Sequence, residues 1–139
     1  MRLSRGSRYG ILALQELAAH EDGEVVEARV LARAAQLPAP FLRKILSMLA
    51  AAGVLESYRG RGYCLARPAP EITLAQILEA VGDDAFGGQR CIFWREECAA
   101  TDPCPLHFRW CDLRPTMENV LGELTLEEIR CRGSAPSAG

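Results

Sequence analysis

Residues 39–67 read APFLRKILSMLAAAGVLESYRGRGYCLAR. One helix, one stop and one hairpin are written in that stretch. Pro40 suits an early helical position, where the backbone amide has no intrahelical acceptor to lose. Phe41, Ile45, Leu46 and Leu49 form the apolar set of a helix over about 39–52. Gly53 stops it, because a residue without a side chain tolerates the left-handed cap. Residues 54–59 then form a strand, Arg59-Gly60-Arg61-Gly62 a tight basic turn, and residues 63–66 the returning strand.

Working outward toward the N-terminus, residues 26–35 predict a second helix with Val30, Leu31 and Ala34 inward, joined to 39–52 by the Leu37–Pro38 turn. Two helices across so short a turn make a helix-turn-helix, and the hairpin after it makes a wing. Residues 7–19 add a first helix through Ile11, Leu14, Leu17 and Ala18, stopped by residues 20–23. The fold class is mainly α with a small β-hairpin: a winged helix-turn-helix over 1–82. The second helix of such a pair enters a DNA major groove. Arg43 and Lys44 are its basic residues, and Ser47 lies one turn after Arg43. Arginine suits guanine through a two-pronged bond to O6 and N7. Arg59 and Arg61 flank Gly60 at the wing tip, placed for a minor groove or phosphates. Arg2, Arg5 and Arg8 can meet the DNA backbone from the first helix, while Tyr9 and Tyr63 read as packing residues.

Charge follows the same division. Residues 1–67 hold ten Lys/Arg against six Asp/Glu, and 68–139 hold six against twelve, within a net charge of -2. The positive half is the one expected to face phosphates. Residues 1–19 carry no secretory pattern, and no stretch reaches the roughly 20 apolar residues of a membrane span. A cytoplasmic setting is therefore expected.

After Pro68 and Pro70, residues 74–81 predict a short helix (Leu74, Ile77, Leu78, Val81) with Thr73 as its cap. Leu106, Trp110, Leu113, Met117, Val120, Leu121 and Leu124 recur at threes and fours, which predicts a long helix. The stripe exceeds what a small reader's core needs, so it is read as a homodimer helix, against the alternative that it packs on its own domain. Pro115 interrupts it; an interior proline costs roughly 3 kcal/mol, so the helix bends there or restarts. A closing helix covers 125–130. The resulting divisions are 1–82 (reader), 83–104 (cysteine-rich loop), 105–131 (dimerisation and closing helices) and 132–139 (a small, polar, disordered tail).

Six cysteines are present, five of them between Cys91 and Cys131. In a reducing compartment such cysteines are expected as thiols or metal ligands rather than disulfides. The spacing is Cys91-x6-Cys98-x5-Cys104-x2-His107. These gaps are wider than the Cys-x2-Cys knuckles of ordinary zinc sites, and a wide loop can wrap a larger inorganic core. On an unbroken helix with Pro105 in its first turn, Cys104, His107 and Cys111 share a face. His107 and Cys111 are thus rivals for a fourth ligand. Cys64 and Cys131 read as bystanders.

Several segments together carry a resemblance. They are Met1-Arg2-Leu3-Ser4, Arg8-Tyr9-Gly10, Gly53-Val54-Leu55, the wing from Arg59 to Pro68, Glu71-Ile72-Thr73-Leu74, Cys104-Pro105-Leu106-His107, Trp110 and Leu124-Thr125-Leu126. Over about residues 1–130 the chain resembles the bacterial winged-helix regulators of iron–sulfur cluster assembly, nitric oxide stress and cysteine metabolism (the IscR, NsrR and CymR type). The resemblance implies a homodimeric repressor or activator that binds promoter DNA, with a long C-terminal helix at the dimer interface. It also implies an iron–sulfur cluster on Cys91, Cys98 and Cys104. In the cluster-assembly regulator a histidine matching His107 is the fourth ligand of a [2Fe-2S] cluster. The nitric oxide sensors use an acidic residue where this chain has Arg8, which cannot ligate. That favours His107 over Cys111, and [2Fe-2S] over [4Fe-4S]. The first cysteine gap is one residue longer than in the cluster-assembly regulator, and the wing about two residues shorter than usual. Some relatives carry no cluster and act through a partner enzyme; the intact three-cysteine set argues against that here.

The leading expectation is a regulator whose DNA binding is switched by an iron–sulfur cluster sensing redox state, nitric oxide or iron–sulfur status. The alternative is a cluster-free or zinc-bound winged-helix regulator acting through a protein partner such as a cysteine-biosynthesis enzyme. An enzyme is the least expected, since no Ser-His-Asp set, phosphate-cradling glycine loop or carboxylate pair stands out.

Overall fold

Helix α1 (Arg5–Ala18) begins where Ser4 accepts the Ser7 amide at 3.1 Å, and α2 covers Ala28–Ala35. Gln36 then takes a left-handed backbone (φ 57°), and the Leu37 amide closes onto the Ala32 carbonyl at 2.8 Å. That tight reversal delivers α3 (Ala39–Ala51) across α2. In this computed structural model residues 3–83 and 100–133 are described. Six α-helices and one two-stranded sheet lie among them.

Helix α3 ends as its sequence suggests. Gly53 is left-handed (φ 81°), the Gly53 amide donates to Ala50 O and the Val54 amide to Leu49 O. This is a Schellman closure, and it turns the buried Val54 into the core. Strands β1 (Leu55–Tyr58) and β2 (Gly62–Leu65) pair antiparallel, from Leu55 opposite Leu65 to Tyr58 opposite Gly62.

Two inward faces differ from expectation. In α3 the buried set is Leu42, Ile45, Leu46 and Leu49; Phe41 is exposed and stands edge-on to Tyr9, ring centroids 5.3 Å apart. Leu42 completes the i, i+3, i+4, i+7 stripe, and Phe41 lies about 100° off it. In α2, Leu31 and Ala32 are buried while Val30 and Ala34 are exposed. Helices α1 and α3 both pack on α2, and the phase of that helix turns Leu31 and Ala32 toward them.

Helix α4 (Leu74–Ala80) follows a 3-10 turn at Ala69–Glu71 and is closed by a reciprocal Thr73–Gln76 capping box. Helix α5 (His107–Glu123) starts two residues later than expected, so Pro105 precedes it rather than occupying its first turn. It runs through Pro115 as one helix. Helix α6 (Leu126–Gly133) returns to the reader: Leu126 is fully buried in its core, the Leu126 amide donates to Ile72 O, and Gln15 Nε2 donates to Ile129 O. Along α5, Trp110 is buried, whereas Leu113 and Val120 remain 49% and 51% exposed. The stripe is thus divided: Trp110 packs on its own domain, Leu106, Met117, Leu121 and Leu124 are partly buried, and Leu113 and Val120 are half exposed. No helix of the described residues is long and apolar enough to cross a membrane.

Candidate nucleic-acid interface and cysteine site

Burying Leu42, Ile45, Leu46 and Leu49 leaves the opposite face of α3 to Arg43, Lys44 and Ser47, all exposed. Arg43 and Ser47, one turn apart, line a cleft whose other wall is the wing. Arg59 and Arg61 line that same cleft, so three of the expected arginines share one concave surface. Lys44 is exposed outside the cleft lining, as are Arg5 and Arg8 on α1. Arg2 lies outside the described residues.

The wing is held in place by backbone chemistry. Val26, just before α2, exchanges two hydrogen bonds with Tyr63: N to O at 2.8 Å and O from N at 2.9 Å. The edge of the hairpin is thereby fixed against the start of the helix-turn-helix. Gly62 (φ 129°) passes so close that a Cβ there would lie 2.2 Å from Val26 O.

Two further residues of the cleft escaped the reading of the sequence. Arg29, in the first turn of α2, lines the cleft and pairs with Glu27 at 2.7 Å. Both groups are at least half exposed, so the pair orients Arg29 more than it stabilises the fold. The available signal was a basic residue on the outer face of the helix preceding the recognition helix. Tyr58 is the other. Its hydroxyl donates to Glu56 Oε2 at 2.8 Å, and the Arg61 guanidinium lies 5.9 Å from its ring centroid. The hydrogen bond to Glu56, and then that carboxylate's charge, raise the Tyr58 pKa and keep the phenol protonated. Cys64, on the inner side of β2, is buried; burial and then Glu56 push its thiol up, so it stays a thiol at neutral pH.

Of the expected cluster ligands, Cys91 and Cys98 lie outside the described residues. Cys104 is buried, and its carbonyl accepts the His107 amide at 3.0 Å, so a single turn joins the two ligand candidates at the start of α5. His107 is half-buried, its ring edge-on to Phe108. Its Nε2 lies 3.7 Å from Cys111 Sγ. Cys104 precedes α5, so the three do not form the unbroken helical face expected; His107 and Cys111 share a face and Cys104 approaches from the turn before it. A thiol and an imidazole in one turn are soft and borderline donors of the kind zinc and iron–sulfur clusters use. Among the described residues no three Cys, His, Asp or Glu side chains gather as a metal site. Cys64 and Cys131 sit on other elements, the wing and α6.

The arrangement has known counterparts. A family model described as "Rrf2: Iron-dependent Transcriptional regulator" matches residues 3–132. The HTH-type transcriptional regulator IscR of Xenorhabdus nematophila is 31% identical over 131 residues, which span 93% of this chain and 79% of that protein. The structure of CymR, the global cysteine regulator of B. subtilis, superposes with a TM-score of 0.74 at 23% identity, over 94% of this chain and 97% of that one. T. potens IscR superposes with a TM-score of 0.71 at 24% identity, over 100% of this chain and 94% of that one. At such identities the two structures speak for the fold.

Proposed function

Because the chain belongs to the Rrf2 family of winged-helix transcriptional regulators, a family of regulators rather than enzymes, we propose that it is a homodimeric DNA-binding regulator whose binding is switched by an iron–sulfur cluster. The observation that carries the reader is the shared cleft of Arg43, Arg59 and Arg61. Arg43 would face base edges from α3, with Ser47 beside it, and the wing arginines would reach the adjoining minor groove or its phosphates. Lys44, Arg29 and Arg2 would add sequence-independent phosphate contacts.

Cys91, Cys98, Cys104 and His107 would hold the cluster, with Cys111 as the neighbour best placed to replace His107. The donor chemistry of Cys104 and His107 fits such a group. When bound, a [2Fe-2S] centre would supply a site that electrons, nitric oxide or iron shortage can alter. The chain's part is to tie that site to α5, since His107 is the first residue of that helix. Rearranging the ligands then bears directly on the helix whose Leu113 and Val120 stay half exposed in a single chain, and so on the spacing of two recognition helices.

The test is anaerobic purification followed by visible absorption and iron and sulfide counts. About two of each per chain are expected for [2Fe-2S]. A duplex recovered by the wild-type protein from a random-sequence pool then serves to compare loaded and metal-free forms, which should differ in affinity at least a few fold. Colourless, iron-free protein containing zinc overturns the cluster, and equal affinities overturn the switch.

A further inference from the structure

We propose that Tyr58 is a positioning residue for DNA recognition, holding the Arg61 guanidinium in the orientation in which it enters the groove. The inference rests on the reading of the wing as a DNA contact. It assigns a role to a neutral side chain that the charge pattern does not single out.

An arginine at the tip of a three-residue turn would sample many rotamers, and that freedom is lost when it binds. Here the turn limits it in three ways. The Arg61 amide donates to Tyr58 O at 2.9 Å, which fixes the backbone of one residue relative to the other. The guanidinium sits over the Tyr58 ring, 5.9 Å from its centroid. The ring is itself anchored, because its hydroxyl donates to Glu56 Oε2 at 2.8 Å. A carboxylate accepting the phenol's hydrogen bond makes the ring face more negative, which strengthens its attraction for a cation.

Glu56 is restrained in turn. It stands opposite Cys64 across the hairpin, and the Cys64 thiol points to the same Oε2 at 3.9 Å. The raised Tyr58 pKa agrees with a phenol that stays protonated and keeps donating. Arg59, on the other side of Gly60, has no ring beneath it among the described residues. The two tip arginines therefore differ: Arg61 is pre-oriented, and Arg59 is steered only by the charge it meets.

The experiment is a pair of double-mutant cycles in the full chain, prepared anaerobically and titrated against the duplex recovered by wild-type protein from a random-sequence pool. Tyr58→Leu is combined with Arg61→Ala and, separately, with Arg59→Ala. Tyr58→Leu alone should weaken binding about threefold, the scale of an exposed cation–π contact. It should weaken Arg59→Ala by the same factor and leave Arg61→Ala unchanged. Tyr58→Phe, which keeps the ring, should retain at least about half of the affinity. Thermal melts report whether the wing stays folded. An equal loss in the Arg61→Ala background, or an equal loss for Tyr58→Phe and Tyr58→Leu, would overturn the proposal. If Arg61→Ala alone binds like wild type, Arg61 is not a DNA contact and the positioning role falls; if Arg59→Ala does so too, the reading of the wing as a DNA contact falls with it.

Discussion

Gly62 is where the reader's geometry depends on a single hydrogen atom. At φ 129° an L side chain is strained, and its first carbon would meet the Val26 carbonyl oxygen at 2.2 Å. Relief requires the wing to leave Val26 and give up the two Val26–Tyr63 backbone bonds. Gly62→Ala should therefore cost on the order of 3 kcal/mol. A lowered midpoint in denaturant, together with lost affinity for duplex DNA, is the expected result. An unchanged midpoint would show that the wing absorbs the methyl group without moving. At this scale the basic residues were legible, because Arg43, Arg59 and Arg61 announce themselves by charge on a helix face or loop tip. Tyr58 was not, because its role depends on which way a side chain leans across a turn. Phe41 misled for a related reason: its size suggests a core residue, but the phase of α3 places Leu42 inside and leaves Phe41 against Tyr9.

At the scale of elements, the short α4 shows how local signals fix a boundary. Its seven residues are too few to be stable alone. They are secured by buried Ile77 and Leu78 and by the cap, in which Thr73 Oγ1 accepts the Gln76 amide and Gln76 Oε1 accepts the Thr73 amide. Arg67 also reaches that Oε1, at 3.3 Å, tying the cap to the end of the wing. Thr73→Ala should lower stability by about 1 kcal/mol. The loss should appear in thermal unfolding while Thr73→Ser stays close to wild type; equal losses for both would mean the hydroxyl is not what matters. The extents of α1 to α4 were readable from apolar period and stops, although the inward faces of α2 and α3 were not. Helix α5 was read less well. Pro105 looks like a first-turn residue, yet the helix begins at His107, and Pro115 lies inside an unbroken helix although it denies the Cys111 carbonyl its usual donor. Contacts distant in sequence decide such cases. The Leu74 amide donates to Leu124 O, which holds the end of α5 at the start of α4.

At the scale of the whole molecule, α5 is anchored at its end, and two apolar side chains along it, Leu113 and Val120, stay half exposed. Its exit is pinned by the Leu74–Leu124 bond, the Thr73–Thr125 bridge and the burial of Leu126. Between those anchors and Trp110, Leu113 and Val120 lie seven residues apart on one face, half exposed, with Met117 between them. A helix-turn-helix reads paired half-sites about one DNA turn apart, which a single chain cannot span. A second copy laid along this stripe would cover the apolar face and set that spacing with one symmetric contact. Val120→Asp places a carboxylate in the centre of the contact without disturbing the core, since Val120 is 51% exposed in the single chain. Sedimentation velocity is expected to show a dimer for the wild type and a monomer for the variant, with the fold of each chain retained by circular dichroism. Affinity for a palindromic duplex should fall at least about tenfold, because two half-sites are no longer engaged together. Binding to a duplex with one half-site should change little, as Arg43, Arg59 and Arg61 keep their shared cleft. A variant that remains dimeric would place the interface elsewhere and leave the half-exposed Leu113 and Val120 of α5 without this explanation.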